Sequence, residues 1–333
     1  MIPDVIVSVR EKTDVAAARR SAIGLAGFDE KDAGALGIVV TEAATNLIKH
    51  AGGGDVIVRR IGSQPGSAVE ILAVDQGPGI ANLARSFEDG YSTAGSPGTG
   101  LGAIARASSF CEIYTAPQKG VVLLARVGRL AAADIPSLEI GAVSAPYPGE
   151  SVSGDTWAVE DSGERCRLVV ADGLGHGPLA ARASQTGVMA VMADRHTPPA
   201  ESIENAHLSL RATRGSALSI ADVDPKTGTV TFAGVGNVTG IIVQDVNTRR
   251  QMICINGTLG HEMRRVQQYQ YPLLPDSLVI LHSDGLSAHW SLDKYPGLFH
   301  RHPSLIAGVL FRDHRRTRDD ATIVVARIRR SAA

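Results

Sequence analysis

Residues 75–104 read DQGPGIANLARSFEDGYSTAGSPGTGLGAI, and this stretch decides how the first part of the chain is understood. It follows a β-rich run at residues 69–74 and precedes a helical pattern that begins near residue 101. So long a stretch with so many small residues exceeds a structural turn, and loops of that kind commonly carry function. Asp75, at the strand end, can accept a hydrogen bond from an adenine amino group, while Gly77 and Gly79 let backbone approach a flat base. Gly98, Gly100 and Gly102 lie just before the helix, where unpaired N–H groups and the helix dipole favour phosphate. Two other phosphate loops are excluded: no Gly-Lys-Ser/Thr closes the run, and it does not follow the first strand. Taken alone, each short piece reads equally as a turn.

Upstream, EAATNLIKHA (residues 42–51) puts Glu42 and Asn46 on one helix face, about a turn apart. A carboxylate and an amide oxygen there suit Mg²⁺, which keeps several waters and bridges to phosphate oxygens. Around these pieces the pattern predicts a strand at 2–9, then a helix from an N-cap at Thr13 to Gly27. A second helix is expected at 29–50, strands at 56–61 and 69–74, a short helix at 101–109, and strands at 111–115 and 121–127.

In this order, the helix with Glu42 and Asn46, the strand-end aspartate and the glycine-rich lid resemble the N, G1 and G2 boxes of the Bergerat (GHKL) ATPase and kinase superfamily, over residues 1–130. Within it, the chain looks most like the RsbT- and RsbW-type switch serine/threonine kinases. The resemblance implies an α/β sandwich with one mixed sheet that binds ATP. Glu42 would activate the attacking hydroxyl, Asn46 would bind Mg²⁺ and Asp75 would read adenine. Gly77, Gly79, Gly98, Gly100 and Gly102 would shape the lid and phosphate site, with Lys49 and Thr93 as lesser candidates. Pro97 interrupts the family's usual glycine-leucine run and would stiffen the lid.

Downstream, residues 129–149 turn to alanine, proline and serine, with Pro136, Pro146 and Pro148. This predicts a first domain at 1–130, a linker at 131–138 and a second domain at 139–330. There β-rich runs dominate, at 167–171, 217–223, 229–233, 239–243, 278–281 and 322–328, with helices near 179–194 and 199–211. Acidic residues stand at strand ends: Asp155 in VSGDTW, Asp172 in VVADGLGHG, Asp284 in ILHSDGL, and Asp319 with Asp320 in RDDATIVV. Any single Asp-Gly pair is ordinarily a turn. Gathered at one sheet edge, however, these carboxylates would repel one another unless cations are bound. Two divalent ions about 4 Å apart give such a cluster a purpose, activating water for in-line attack on phosphorus. His176, in the same loop as Asp172, is suited to contact phosphate or protonate a leaving alkoxide. His282 and His289 are expected on or beside a strand. The histidines lack zinc spacing, and Mn²⁺ or Mg²⁺ with oxygen ligands fits better.

Residues 139–328, including TFAGVGNVTG, resemble the SpoIIE and RsbX branch of the metal-dependent (PPM) serine/threonine phosphatases. The resemblance implies a β-sandwich flanked by helices, so the whole chain is expected to be α+β. It also implies that Asp155 and Asp172 hold the metal pair at the catalytic centre, with the Gly173 carbonyl, Asp284 and Asp319 completing the coordination and Asp320 in support. Both resemblances together imply a bifunctional regulator of bacterial stress and sigma-factor signalling. It would phosphorylate and dephosphorylate a STAS-domain anti-sigma antagonist or a stressosome-type partner, with a homodimer possible by family analogy. An alternative makes the first domain an ATP-dependent binding module (anti-sigma or partner-switch) fused to an active phosphatase. A third reading has ATP tune the phosphatase allosterically. Retention of Glu42 beside Asn46 favours chemistry over mere binding.

Composition sets the outer limits. At 333 residues the chain accommodates two domains, and its 44% hydrophobic and 20% charged residues are those of a soluble globular protein. Lysine plus arginine (33) nearly balances aspartate plus glutamate (34), which leaves no field to gather nucleic acid or an anionic membrane. Cys111, Cys166 and Cys254 match no metal or redox spacing and read as reduced core thiols. With no signal-peptide pattern and no apolar run near 18 residues, a cytoplasmic location is expected. The arginines at 312–318 and 327–330 are expected on a solvated face.

Overall fold

Capping chemistry fixes the first helices. The computed structural model describes residues 4–62, 66–83, 100–130 and 137–328. It begins with β1 (Val5–Val9) and α1 (Lys12–Ala26). The N-cap of α1 is Glu11 and not Thr13, because Asp14 Oδ2 already accepts the backbone N–H of Arg10 (2.8 Å) and of Glu11 (2.9 Å). Thr13 lies inside the first turn and donates to Glu11 Oε1 (2.6 Å). In α2 (Glu30–Ala51) the cap is Asp29, whose Oδ1 accepts Asp32 N–H at 2.9 Å. Both helices stop at left-handed glycines, Gly27 (φ 63°) and Gly52 (φ 69°).

The chain then forms β2 (Gly54–Arg60), β3 (Val69–Val74), α3 (Gly100–Ala107), β4 (Phe110–Thr115) and β5 (Val121–Val127). These strands make one sheet in the order β1-β2-β3-β5-β4. Every pairing among them is antiparallel, which corrects the mixed sheet expected from the sequence. Short connections between β2 and β3 and between β4 and β5 reverse the chain each time. Alternate strand residues Val56, Val58, Ile71, Ala73, Leu123 and Ala125 pack on Ala22, Leu36, Val40 and Leu47 of the helices. Glu70, buried on β3, stands in register between Arg59 and Arg126 and pairs with both, the second at 2.7 Å, so no charge is left orphaned.

Contacts divide the chain into two compact units, Met1–Ile135 and Pro136–Ala333. In the second, β6 (Leu138–Ala145), β7 (Asp155–Asp161) and β8 (Cys166–Gly173) lead into α4 (Pro178–Met192) and α5 (Pro199–Leu210). There follow β9 (Ser216–Asp224), β10 (Thr229–Val235), β11 (Thr239–Val243), β12 (Arg249–Gln251), β13 (Tyr269–Pro272), β14 (Leu278–His282), α6 (Pro303–His314) and β15 (Ala321–Ile328). Two antiparallel five-stranded sheets result, ordered β13-β10-β9-β8-β7 and β12-β11-β14-β15-β6. Leu168, Val170, Phe232 and Val223 of the first interleave with Leu138, Val279, Leu281 and Val324 of the second. Val169 and Ala171, pointing the other way, pack under α4 and α5 with Val188, Ile203 and Leu210. Burial on both faces explains why β8 reads as an apolar run without alternation.

Strand β6 lies within the stretch whose alanine and proline content suggested a boundary. Helix α6 was not legible either, since its residues Pro303–Arg312 are all buried and carry no polar stripe. It packs on β6 at Gly141, where a Cβ would meet Ser304 N at 2.1 Å. Two arginines expected on a solvated face are buried: Arg312 pairs with Asp313 (2.7 Å), and Arg327 donates to the carbonyls of Phe299 and Arg301. A guanidinium with five donors can enter a core wherever carbonyls are left to satisfy. The three cysteines are free; Cys166 is buried, and Cys111 and Cys254 pack at the edges of the two cores. Among the described residues no helix is long and apolar enough to cross a membrane.

Candidate metal centre and nucleotide site

Strand pairing brings together carboxylates far apart in sequence. Asp155 opens β7 and Asp172 lies near the end of β8, directly opposite in register. Asp284 follows β14, and Asp319 and Asp320 precede β15, its antiparallel neighbour. Ser283 clips the two sheets: its Oγ donates to Asp155 Oδ2 (2.7 Å) and accepts Thr322 N–H (3.0 Å). Asp284 Oδ2 accepts from Asn237 Nδ2 at 2.6 Å. Neither Ser283 nor Asn237 was singled out from the sequence, although Asn237 lies in the quoted TFAGVGNVTG turn.

Burial is the main reason that Asp155 is pushed up to about 7, with Asp320 and Asp284 adding repulsion and Ser283 opposing it. Asp172 is pushed up to about 9, again first by burial and then by Asp155, Asp284 and Asp319, and by sharing a hydrogen bond with Asp284. Asp319 is raised by burial and by Asp284, with Arg316 working against the rise. Carboxylates held this way are unfavourable as anions unless positive charge joins them.

The donor set fits hard divalent cations. Asp155 Oδ1 and Asp320 Oδ2 are buried without a hydrogen-bond partner, and two carboxylates share a proton site where a cation would satisfy both. Among the described residues no three His, Cys, Asp or Glu side chains stand ready around one point. Mg²⁺ commonly takes only one or two protein carboxylates and keeps several waters. The two neighbours Asp319 and Asp320 differ in place. Asp320 is buried, with Oδ1 accepting Tyr147 N–H (2.7 Å), and Gly154 leaves room for its Oδ2, which would lie 2.6 Å from a Cβ there. Asp319 is half-buried and faces Asp284 and Asp172. Gly173 is tight against α4, where a Cβ would meet Ala180 O at 2.0 Å.

His176 is anchored at the rim. Its Nδ1 lies 2.8 Å from Glu150 Oε1, and its ring stacks on Tyr147 at 4.5 Å. His282 ends β14, where burial lowers its pKa and Nδ1–H donates to Ser283 O (2.8 Å). His289 is an exposed residue in the irregular segment after β14, not on a strand.

In the first unit, α2 carries Glu42 and Asn46 to the start of α3. A Cβ on Gly100 would lie 3.2 Å from Glu42 Oε2 and 3.4 Å from Asn46 Oδ1, so these three residues meet. Asp75, buried at the end of β3, accepts the backbone N–H of Gly77 (2.8 Å) and Val121 (3.1 Å) through Oδ1. A Cβ on Gly77 would touch Ala51 Cβ at 2.8 Å, which brings the strand end to the end of α2. Gly79 takes φ 77° under the Ala116 carbonyl, a left-handed position beside a close backbone approach that only glycine meets without strain. Gly102 is buried in α3, and Lys49 is exposed at the end of α2. Gly98, Thr93 and Pro97 lie outside the described residues. Thr115 is an addition from the structure: its Oγ1 accepts Ile80 N–H (2.9 Å) and donates to Gly120 O (3.0 Å), holding the turn after Asp75.

Fold and site together define a class: a metal-dependent PPM-type phosphatase unit on a β-sandwich, joined to an ATPase-type unit of helices on one sheet. The description Stage II sporulation protein E (SpoIIE) matches residues 162–329, and Histidine kinase-like ATPase domain matches residues 9–126. The chain belongs to the SpoIIE family, with a histidine kinase-like ATPase domain ahead of the phosphatase domain. It is similar to the serine/threonine-protein kinase RsbT of Bacillus subtilis (strain 168), 32% identical over 103 residues, which are 30% of this chain and 77% of that protein. It is also similar to the phosphoserine phosphatase RsbX of Bacillus subtilis (strain 168), 26% identical over 140 residues, 42% of this chain and 70% of that one. A solved structure of RsbX in complex with magnesium superposes with TM-score 0.50 at 21% identity, over 58% of this chain and 96% of that one. A structure from work on the bacterial stressosome gives TM-score 0.54 at 26% identity, covering 57% of this chain and 99% of the other.

Proposed function

We propose that the chain carries two opposed activities on one class of partner. The second unit hydrolyses phosphoserine or phosphothreonine, and the first transfers the γ-phosphate of ATP to a serine or threonine. The partner is a STAS-domain protein of a bacterial stress or sigma-factor pathway, in the cytoplasm, free or within a stressosome-type assembly. The names of the relatives support both halves of this reading. The observation that carries it is the set of buried carboxylates at strand ends, raised by burial and by one another, for which bound cations are the physical justification.

Asp155, Asp172, the Gly173 carbonyl, Asp284 and Asp319 would hold two Mg²⁺ or Mn²⁺ ions. Such a pair supplies a neutral-pH nucleophile and offsets charge building on the phosphoryl oxygens. Ser283 and Asn237 orient Asp155 and Asp284, and Asp320 ties the loop at Tyr147 to the start of β15. His176, fixed by Glu150 and Tyr147, would stand beside a leaving alkoxide as a candidate acid.

In the ATPase unit, Asp75 would read adenine and Gly77 and Gly79 would line the base. Asn46 would bind the Mg²⁺ of ATP, and Glu42 would take the proton of the attacking hydroxyl. The start of α3, with Gly100 and Gly102, would face phosphate together with Gly98.

The test is phosphate release from a phosphoserine STAS protein with Mn²⁺, followed by rephosphorylation with Mg-ATP. Release that is lost in Asp172→Asn and phosphorylation that is lost in Glu42→Ala are expected. Capture of the partner with ATP but no phosphoryl transfer by the wild type would replace the kinase half with a binding module.

A further inference from the structure

Arg214 stands in the turn after α5, and its backbone is fastened on several sides. Thr213 N–H and Thr213 Oγ1 both donate to Leu210 O, at 2.9 and 2.7 Å. Gly215 N–H donates to Thr213 Oγ1 (3.0 Å), Leu174 N–H to Gly215 O (3.0 Å), and His261 Nε2 to Arg214 O (2.8 Å). Gly215 itself is in the left-handed region (φ 83°), where a Cβ would run into Leu259 O at 2.6 Å. The turn is therefore tied directly to the loop Asp172–Gly177 that carries the metal-centre residues.

The side chain is the unfastened part. The guanidinium lies over Gly175, its Nη1 3.2 Å from where a Cβ of that residue would sit, and Gly175 leaves the space open with φ 89°. It is exposed and makes no hydrogen bond or ion pair with any described residue. Of the basic groups around the acidic centre, Arg315 Nη2 donates to Pro146 O (2.7 Å), His176 is held by Glu150, and Arg316 bears on Asp319 by its charge. Arg318 adjoins Asp319 in sequence. Neither the loop PYPGESVSG (residues 146–154) nor GLGHG (residues 173–177) contains a lysine or arginine.

The geometry points to Arg214 as the residue that receives the phosphate group of the substrate at the rim of the acidic centre, an inference that rests on the phosphatase reading above. A phosphomonoester dianion approaching a cluster of carboxylates is repelled wherever no cation faces it. A guanidinium offers two parallel N–H donors to two phosphate oxygens and gives up little hydration to do so. With the backbone already fixed, only side-chain torsions need be ordered when the phosphate arrives, so little of the binding energy is lost. The ligand class is a phosphomonoester, recognised through phosphate and not through the peptide.

Steady-state kinetics with Mn²⁺ on para-nitrophenyl phosphate and on a phosphoserine peptide, with inorganic phosphate as inhibitor, test the assignment. Arg214→Ala is expected to raise KM for both substrates and the inhibition constant of phosphate by about tenfold, with kcat little changed. Arg214→Lys is expected to recover part of the loss, and an unchanged melting temperature shows that the fold is intact. Unchanged KM and phosphate inhibition in Arg214→Ala overturn the inference. A rise confined to the peptide, with phosphate inhibition unaltered, overturns it too, because Arg214 then reads peptide. Wild-type turnover judges the phosphatase reading separately. If the wild type turns over neither substrate, calorimetric titration of inorganic phosphate into the Mn²⁺-loaded chain decides: weaker binding by Arg214→Ala supports the anion site, and equal binding rejects it.

Discussion

The proposed metal centre and the proposed nucleotide site are built by different constructions. The centre of the second unit is assembled from strand ends, with Asp155 opposite Asp172 on one sheet and Asp284 beside Asp319 on the other, clipped by Ser283. The two pairs lie more than a hundred residues apart, and burial makes their anions unfavourable unless positive charge joins them. The nucleotide site is local instead. Glu42 and Asn46 share one helix face, Asp75 and Gly77 lie just beyond β3, and the parts meet through glycine contacts at Gly100 and Gly77. A site on a sheet edge tolerates little movement.

That contrast is sharpest in mutants that separate the two sites. Asp172→Asn should lower phosphate release by at least about 100-fold, since even second-layer changes at metal sites cost 10–100-fold, while nucleotide binding stays as it was. Equilibrium dialysis with ATP beside a phosphate-release assay would show whether one substitution leaves the other site alone. In the first unit, Glu42→Ala should cut phosphoryl transfer by about 10²–10⁴ and keep ATP affinity, whereas Asp75→Asn should lose ATP affinity itself. Equal loss of binding in both variants would break the division of roles between helix and strand end.

Rigidity of the sheet edge can be probed directly. A Cβ on Gly285 would lie 1.8 Å from Asp320 O, so Gly285→Ala must displace the residues leading into β15 and should cost about 1–3 kcal/mol in chemical denaturation. An unaltered midpoint would mean that the centre gives way more easily than its packing implies.

Burial of these carboxylates has a pH signature. Asp155 and Asp172 move from 3.8 to about 7 and about 9 in the metal-free fold, so the folded chain holds more protons than the unfolded chain between those values. Stability of the metal-free protein should therefore be greatest in this respect at low pH and fall as pH rises through that window. Asp172→Asn should flatten the fall, and Mn²⁺ should remove it. Melting curves across the window check both; a metal-free protein that gains stability from these residues as pH rises would contradict the assigned burial. At the small end, Asp29→Ala should cost about 1 kcal/mol through its lost cap, and Thr13→Ala close to nothing.

These contrasts also explain what the sequence made legible. Glu42 and Asn46 could be placed because helical spacing is a local rule, and Asp172 and Asp284 because each ends an apolar strand. Ser283 gave no signal, since its role depends on a strand of the opposite sheet arriving within reach. The resemblance favoured Asp319 as ligand over Asp320, but sequence alone did not fix that choice; the two differ in burial and in the Tyr147 backbone contact of Asp320. Helix α6 escaped because burial on all sides erases periodicity, and Arg327 because a carbonyl-lined pocket cannot be read from neighbouring residues. The cap at Glu11 was missed because Asp14, one residue beyond the favoured threonine, took the free N–H groups.

Calorimetric titration of Mn²⁺ into the metal-free chain at about pH 8 tests the central claim most directly, because the acidic centre is argued to exist for cations. Saturable uptake of about two ions per chain, proton release on binding, and loss of that uptake in Asp172→Asn are expected. No saturable binding, or equal uptake by the variant, would contradict that claim.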